Sequence, residues 1–192
     1  MSKSAAVKIH LLPGGIMPER KSKGAAGYDV AVRAVISPRE MDPENPILRR
    51  TLFDFESLAE DPDVGSHVYN LGGELIYRME PGESVLVGIG FVIAMPPHMF
   101  YWIAPRSGLA SRWGITVTNT PGTVDSDYRG EAGVLVFNRN ESRFDLRHGM
   151  RVAQIIFQRA EFPRFEMVEN YADLSRTNRG AGAFGPTGLL SE

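Results

Sequence analysis

The sequence contains no cysteine, which excludes disulfide bonds, thiolate nucleophiles and cysteine-ligated zinc. It also has no long basic run, and its net charge of −2 does not favour generic nucleic-acid binding. No apolar stretch approaches the length of a membrane span, and Lys8 and His10 interrupt the one near the N-terminus, which argues against a secretory signal. The four histidines show no metal-ligand spacing. We therefore expect a cytoplasmic protein that binds neither membranes nor nucleic acid.

Helical spacing is scarce too, and only residues 107–114 and 51–63 are candidates for short helices, the first with Ser107 as its cap. Short segments rich in β-branched and aromatic residues, each bounded by turn formers, dominate the chain instead. This pattern predicts an all-β sandwich or closed barrel. The predicted strands are 6–12, 28–36, 84–95, 99–104, 133–138, 152–162 and 164–169.

The 192 residues suit one domain with an insertion. Residues 38–75 are polar and rich in proline and loop formers, and we interpret them as that insertion. Residues 179–192 form a glycine-rich tail that cannot bury a core of its own and needs a surface on which to lie. The predicted organisation is therefore a β domain over residues 1–178 followed by this tail.

The segment GTVDSDYRG, residues 122–130, places two aspartates and a tyrosine beside an apolar strand. If the segment stays extended, Asp125 and Asp127 point to one face, where the two carboxylates repel each other unless a cation or hydrogen-bond donors compensate. One interpretation is a hairpin end with solvated aspartates. The other is a general base that orients water, with Tyr128 as a platform for a flat or sugar-like ligand.

Three further segments carry candidate binding groups. In PRSGLA, the planar fork of Arg106 suits phosphate oxygens and Ser107 stands at a helix start, although a capped helix with a surface arginine explains both. Gln154 lies within an apolar strand, where its amide must find partners, either a ligand or a neighbouring backbone. The tail segment RGAGAFGPTG, 179–188, can wrap phosphates with its glycine amides or can be a linker.

The order of these segments resembles that of the five motifs of the deoxyuridine triphosphatase (dUTPase) family. AGYDV, PRSGLA, GTVDSDYRG, GMRVAQIIF and RGAGAFGPTG follow one another from about residue 24 to residue 188, apart from the insertion. The resemblance implies a distorted jelly-roll or β-barrel, a homotrimer with sites shared between subunits, and Mg²⁺-assisted hydrolysis of dUTP to dUMP and pyrophosphate, which removes dUTP and supplies dUMP for thymidylate synthesis.

The resemblance also implies a role for each matching residue. Asp125 activates the attacking water, Tyr128 packs against deoxyribose, and Asp29 is a supporting residue. Mg²⁺ is held mainly by substrate phosphates and waters, without direct protein ligands. The remaining implied substrate contacts are Arg106, Ser107, Gly108 and Gln154 for phosphates, Asn119, Gly122, Thr123 and Val124 for uracil, and Arg179, Phe184 and Gly185 in the closing tail.

Two rival functions remain open at this point. The related fold of deoxycytidine triphosphate deaminase needs a glutamate-centred site, and Glu131 lies close to the aspartates. A dUTPase-like regulator that senses nucleotides through the insertion is the second rival. The chain also departs from the family pattern at Met150, Ala183 and Pro186, where proline removes one backbone donor from the tail.

Overall fold

The chain folds into short antiparallel strands, and the predicted all-β, jelly-roll-like architecture is confirmed. The computed structural model describes residues 6–57 and 62–181. It contains one α-helix, α1 (Ser107–Trp113), and two 3₁₀ turns, Pro62–His67 and Tyr171–Asp173. The strands are β1 Lys8–Leu11, β2 Tyr28–Ala31, β3 Ala34–Met41, β4 Arg49–Asp54, β5 Val68–Leu71, β6 Glu74–Met79, β7 Ser84–Gly88, β8 Phe91–Ala94, β9 Met99–Pro105, β10 Ile115–Val117, β11 Gly122–Val124, β12 Gly133–Asn138, β13 Phe144–Leu146 and β14 Arg151–Arg159.

Two larger sheets carry the fold. One has the order β10-β12-β7-β3-β4 and the other the order β11-β9-β14-β2, while β13-β6-β5 and β1-β8 form smaller sheets. Strand β11 is an edge strand, since it pairs with β9 on one side only. It therefore presents unpaired backbone donors and acceptors along its other side.

The core lies between these sheets and follows from alternation along the strands. In β12, the buried residues Val134 and Val136 alternate with the half-buried Leu135. Successive side chains of a strand point to opposite faces, so one face of each strand faces the core. Other fully buried residues are Phe53, Ile76, Met79, Val87, Ile89, Phe91, Ile115 and Ile155.

The predicted helix at 51–63 is wrong, because Arg49–Asp54 is strand β4. Its residues pair with β3, with Val35 opposite Phe53, and the ring of Phe53 is fully buried. Long-range pairing and burial outweigh local propensity here. The insertion is likewise more ordered than predicted, since it contributes strands to two sheets.

The predicted strand at 164–169 is also wrong. This segment belongs to a second compact unit, Glu161–Glu192, separate from the unit Met1–Ala160. In its described part, Phe165 is 98% exposed and Met167 is 93% exposed. The described residues of this unit contain no strand, and an isolated segment has no partner for its backbone groups.

A buried ion pair connects the turn after β11 to the sheets. Glu131 is 1% exposed and accepts two hydrogen bonds from the Arg33 guanidinium, at 2.8 and 2.7 Å. The amide of Gly90 donates a third at 2.7 Å. A side chain at Gly88 would meet the carboxylate, since a Cβ there would lie 2.4 Å from Glu131 Oε1. Burial works against the charge of Arg33, but the bonds to Glu131 outweigh it and raise the pKa of that guanidinium.

No helix within residues 6–57 and 62–181 is both long and apolar enough to cross a membrane.

Replacing Glu131 tests the importance of this ion pair. Glu131→Ala leaves the Arg33 charge buried without a partner, and we expect it to lower the free energy of unfolding by about 3–5 kcal/mol. The matched control is Glu141→Ala, which removes an exposed carboxylate. Urea unfolding at one protein concentration measures both variants. Equal stability of the two would contradict the structural role given to Glu131.

Candidate active site

Five of the predicted site residues line one cleft of about 390 Å³. Asn119 precedes β11, Thr123 and Val124 belong to it, and Asp125 and Tyr128 follow it. The opposite wall comes from β3, β4, β7, β12 and the residue before β12. Its residues are Pro38, Arg49, Leu86, Ala132, Gly133 and Leu135.

The turn after β11 determines which carboxylate faces this cleft. Because the strand ends at Val124, the segment does not stay extended, and the amide of Tyr128 donates to the carbonyl of Asp125 at 3.3 Å. The Arg129 guanidinium donates to the carbonyls of Ser126 (2.6 Å) and Tyr128 (2.9 Å), which closes the turn. Asp125 consequently lines the cleft as an exposed carboxylate, whereas Asp127 does not line it.

Tyr128 forms a fixed wall of the cleft. Its hydroxyl donates to the carbonyl of Glu131 at 3.0 Å, so the phenol ring folds back over Gly130. A Cβ on Gly130 would lie 2.4 Å from Tyr128 Oη and 2.9 Å from the carbonyl oxygen of Ile47. Burial raises the pKa of Tyr128, which keeps the hydroxyl protonated as the donor in this bond. The glycine is therefore required by the close approach of the ring.

A second group of predicted residues gathers around Asp29. Its carboxylate accepts hydrogen bonds from Arg106 Nε at 3.2 Å and from Arg151 Nη1 at 3.0 Å. Arg106 also donates to the carbonyl of Arg151 at 2.9 Å. Asp29 thus orients two guanidinium groups, which suits the supporting role predicted for it.

Gln154 connects the same region through its side-chain amide. Its Nε2 donates to the carbonyl of Pro105 at 3.0 Å. A Cβ on Gly27 would lie 2.0 Å from Gln154 Oε1, so the glycine leaves room for the amide. Of the two partners expected for Gln154, a ligand or neighbouring backbone, its hydrogen bond within the chain is to neighbouring backbone.

Helix α1 begins beside this cluster. The predicted helix is confirmed, but the prediction that Ser107 caps it is wrong, because Ser107 is its first residue and Arg106 is the N-cap without a side-chain cap bond. Ser107 and Gly108 are both exposed, and no atom lies within 4 Å of a Cβ built on Gly108. The start of the helix is thus accessible beside the guanidinium of Arg106.

The arginine cluster borders a second cleft, of about 610 Å³, which shares no lining residue with the first. Four arginines and one carboxylate line it, so it favours an anionic ligand. Its residues are Arg106, Leu109, Trp113, Arg143, Phe144, Asp145, Arg147, Gly149, Met150 and Arg151.

The predicted tail contacts belong to the second unit or lie outside the described residues. Arg179 belongs to the separate unit Glu161–Glu192. Phe184 and Gly185 lie outside the described residues.

Two arginines near the predicted residues were missed by sequence reasoning. Arg151 directly precedes the predicted strand 152–162 and was given no role, although it follows Met150 in one of the quoted motifs. Arg49 lies in the insertion, where no motif signals a role, and only the pairing of β4 with β3 brings it to the cleft. Among residues 6–57 and 62–181, no three histidine, aspartate or glutamate side chains converge to hold a metal ion.

Comparisons with known proteins agree with the resemblance. A family model described as dUTPase matches residues 63–188. A protein of Heliobacterium modesticaldum named deoxyuridine 5'-triphosphate nucleotidohydrolase is 40% identical over 184 residues, which cover 95% of both chains. A protein of the same name from Methylocella silvestris is 38% identical and covers all of this chain and 96% of its own.

Solved structures share the fold. A dUTPase of Staphylococcus bacteriophage 80α, solved with dUpNHpp, gives a TM-score of 0.65 at 18% identity and covers 96% of this chain and 99% of its own. A dUTPase of the Staphylococcus aureus phage φ11, described with a coordinated structural Mg(II) ion, gives a TM-score of 0.60 at 16% identity over 86% of this chain and 98% of its own. At these identities the likeness extends to the fold alone.

A methyl group at position 130 tests how the tyrosine wall is held. Gly130→Ala forces Tyr128 or the Ile47 carbonyl to move, and we expect a loss of about 1–3 kcal/mol in the free energy of unfolding. Gly24→Ala is the matched control, because a Cβ there meets no atom within 4 Å. Chemical denaturation compares the two variants. If both are as stable as the parent chain, Tyr128 does not pack on Gly130 as described.

Proposed function

Because this chain belongs to the dUTPase family, we propose that it hydrolyses dUTP to dUMP and pyrophosphate. The observation that carries the proposal is the cleft beside β11. There the carboxylate of Asp125 and the ring of Tyr128 face one space together with Asn119. The reaction removes dUTP from the nucleotide pool and supplies dUMP for thymidylate synthesis. The cytoplasmic location stays a prediction from the sequence.

In this proposal Asp125 positions and deprotonates the attacking water. It is the only carboxylate among the described residues that line the cleft, and it is exposed to the space that substrate would enter. Water then attacks the α-phosphorus, the bond to the pyrophosphate oxygen breaks, and the proton passes to the carboxylate. Such general-base assistance contributes about 10²–10⁴-fold to a rate.

The base and sugar are assigned to the walls of the same cleft. The free edge of β11 offers the backbone of Gly122, Thr123 and Val124 to the hydrogen-bonding edge of uracil, with Asn119 beside it. A cytosine ring would leave some of these polar groups unpaired, which disfavours it. The fixed ring of Tyr128 packs against deoxyribose and leaves no room for a 2′-hydroxyl.

The phosphate chain is assigned to the arginine cluster of another copy of the chain. Val124 pairs with Tyr101, whereas Arg106 stands five residues further along the chain, directly after β9, and so about 16 Å away. Asp125 continues away from Arg106, since β11 and β9 are antiparallel. The separation and the two distinct clefts support a site shared between copies in a homotrimer. In that site Ser107, Gly108 and Gln154 contribute further phosphate contacts beside Arg106.

The unit Glu161–Glu192 supports self-association independently. Phe162, Phe165, Met167 and Tyr171 are each at least 75% exposed, which leaves a run of large apolar side chains in contact with water. Runs of this kind mark surfaces that bind a partner. Arg179, Phe184 and Gly185 are proposed to close over the nucleotide as the end of this unit.

Magnesium is proposed to enter with the substrate. Mg²⁺ retains waters and binds substrate phosphates more readily than all-protein cages. The cleft fits this use, because Asp125, the one carboxylate among the described residues that line it, can bind a metal-held water but does not form a cage. When bound, the ion neutralises charge on the triphosphate.

The deaminase alternative is not favoured. It would need a glutamate available to the base, but the Glu131 carboxylate is buried and accepts hydrogen bonds from Arg33 and the Gly90 amide. The regulator alternative has no supporting observation in the cleft.

Asparagine at position 125 tests the proposed mechanism. Asp125→Asn keeps the shape of the cleft but removes the base, so we expect kcat for dUTP to fall about 10²–10⁴-fold. Binding of dUpNHpp, measured by calorimetry, should change by no more than about threefold, because the lost interaction belongs to the transition state.

Asp127→Asn is the matched control, since it makes the same chemical change outside the cleft. Its turnover should stay close to that of the parent chain. Undiminished hydrolysis by Asp125→Asn would refute the proposed role of Asp125.

A further inference from the structure

A β-hairpin within the insertion forms one wall of the cleft. We define it as residues 37–50, which comprise the end of β3, the turn that follows and the start of β4; all but Ser37 belong to the insertion. The turn is ordered by Asp42, whose carboxylate accepts hydrogen bonds from the amides of Glu44 (2.8 Å) and Asn45 (3.0 Å). At the base of the hairpin, the buried Ser37 hydroxyl accepts a bond from the Glu40 amide at 3.0 Å. The hairpin is thus braced at both ends by side-chain bonds to its backbone.

The hairpin packs directly on the turn that carries Tyr128. The carbonyl oxygen of Ile47 lies 2.9 Å from the position of a Cβ on Gly130, which leaves no room for any side chain there. Pro38 and Arg49 complete the contact by lining the cleft opposite Asp125. The insertion is therefore part of the cleft and is not a remote appendage.

Arg49 brings a positive charge to this wall. It is half-buried, and one guanidinium nitrogen donates to the carbonyl of Pro38 at 3.0 Å, which fixes its direction across the hairpin. No carboxylate of residues 6–57 or 62–181 lies within ion-pairing distance of it. Burial raises the pKa of Tyr128, and the nearby positive charge of Arg49 acts against that increase.

The charges that line the cleft indicate a function for Arg49. Among the described residues that line it, Arg49 and Asp125 are the only charged ones. Without Arg49 the cleft would present a single negative charge to a polyanionic substrate, and the carboxylate would repel the phosphate that it must approach. A guanidinium with unused donors in the same space offsets this repulsion and suits phosphate oxygens geometrically.

We propose that Arg49 is a substrate-binding residue that donates hydrogen bonds to a phosphoryl oxygen of the nucleotide next to the phosphorus attacked by the Asp125-held water. This inference rests on the proposed function, because it takes the phosphate under attack as the ligand. Negative charge on the phosphoryl oxygens must be stabilised as the reaction proceeds, and a preorganised cation in a partly closed cleft acts there without reorganisation. The insertion would thus add a phosphate contact to the site from the same copy that supplies Asp125.

The test compares Arg49→Gln with Arg50→Gln, the neighbouring arginine on the same strand, whose guanidinium pairs with Glu40 on the exposed surface. Loss of a charged hydrogen bond corresponds to a fall in kcat/KM for dUTP of about 10- to 100-fold in Arg49→Gln. The control should stay within about twofold of the parent chain, because exposed ion pairs contribute little. Arg49→Lys keeps the charge without the planar fork and should recover part of the loss. Thermal unfolding of each variant confirms that its fold is intact.

Binding of two ligands, one with phosphates and one without, shows which part of the nucleotide Arg49 contacts. For Arg49→Gln, the affinity for dUpNHpp should fall while inhibition of dUTP hydrolysis by deoxyuridine, which has no phosphate, stays unchanged. Equal loss for both ligands would place Arg49 on the base or sugar and overturn the inference, as would an unchanged kcat/KM. A parent chain that does not hydrolyse dUTP would instead overturn the proposed function, so the two failures are distinguishable.

Discussion

The buried carboxylate of Glu131 is the constraint on which the site depends. By binding the Arg33 guanidinium and the Gly90 amide, it joins the end of the β11 turn to two points where strands break. The carbonyl of the same residue accepts the Tyr128 hydroxyl, which sets the ring that forms the cleft wall. A buried ion pair contributes little net stability, but breaking it is costly, so it enforces one arrangement. The position of Tyr128, and with it the opening onto Asp125, follows from that arrangement.

In the proposed function, the catalytic carboxylate and the phosphate-binding arginines line two clefts that are separate within one copy of the chain. The cleft beside β11 holds the Asp125 carboxylate, the Tyr128 ring and an edge strand, whereas Asp29 fixes two arginines at the far end of β9. For the proposed reaction each part alone is incomplete, since the first has little positive charge and the one carboxylate among the described residues of the second, Asp145, is bound to Arg78. A symmetric oligomer would bring the two parts together, because both surfaces recur around its axis and the cleft of one copy can face the arginines of the next. In the proposed function, self-association is therefore required for catalysis.

The sequence predicted the strands of the core, because their alternation reflects burial on one face, and it predicted the residues around Asp125 from their order in the chain. It did not predict where strands break. The predicted strands run through Arg33 and Gly90, whereas in the structure both residues lie between strands and donate hydrogen bonds to the distant Glu131. Residues 51–54 were assigned to a helix because their pairing with β3 is non-local. Arg49 was missed for the same reason, since nothing within the insertion indicates that a hairpin brings it to the cleft.

Mixed oligomers test the shared site most directly. Asp125→Asn and Arg106→Ala, each inactive alone, are denatured together in equal amounts and refolded. If the base and the phosphate cluster come from different copies, about one quarter of the sites in the mixture combine two intact halves, and dUTP hydrolysis returns to that fraction of the parent activity. If both halves belong to one copy, every site carries a defect. A mixture no more active than its separately refolded components would contradict the account.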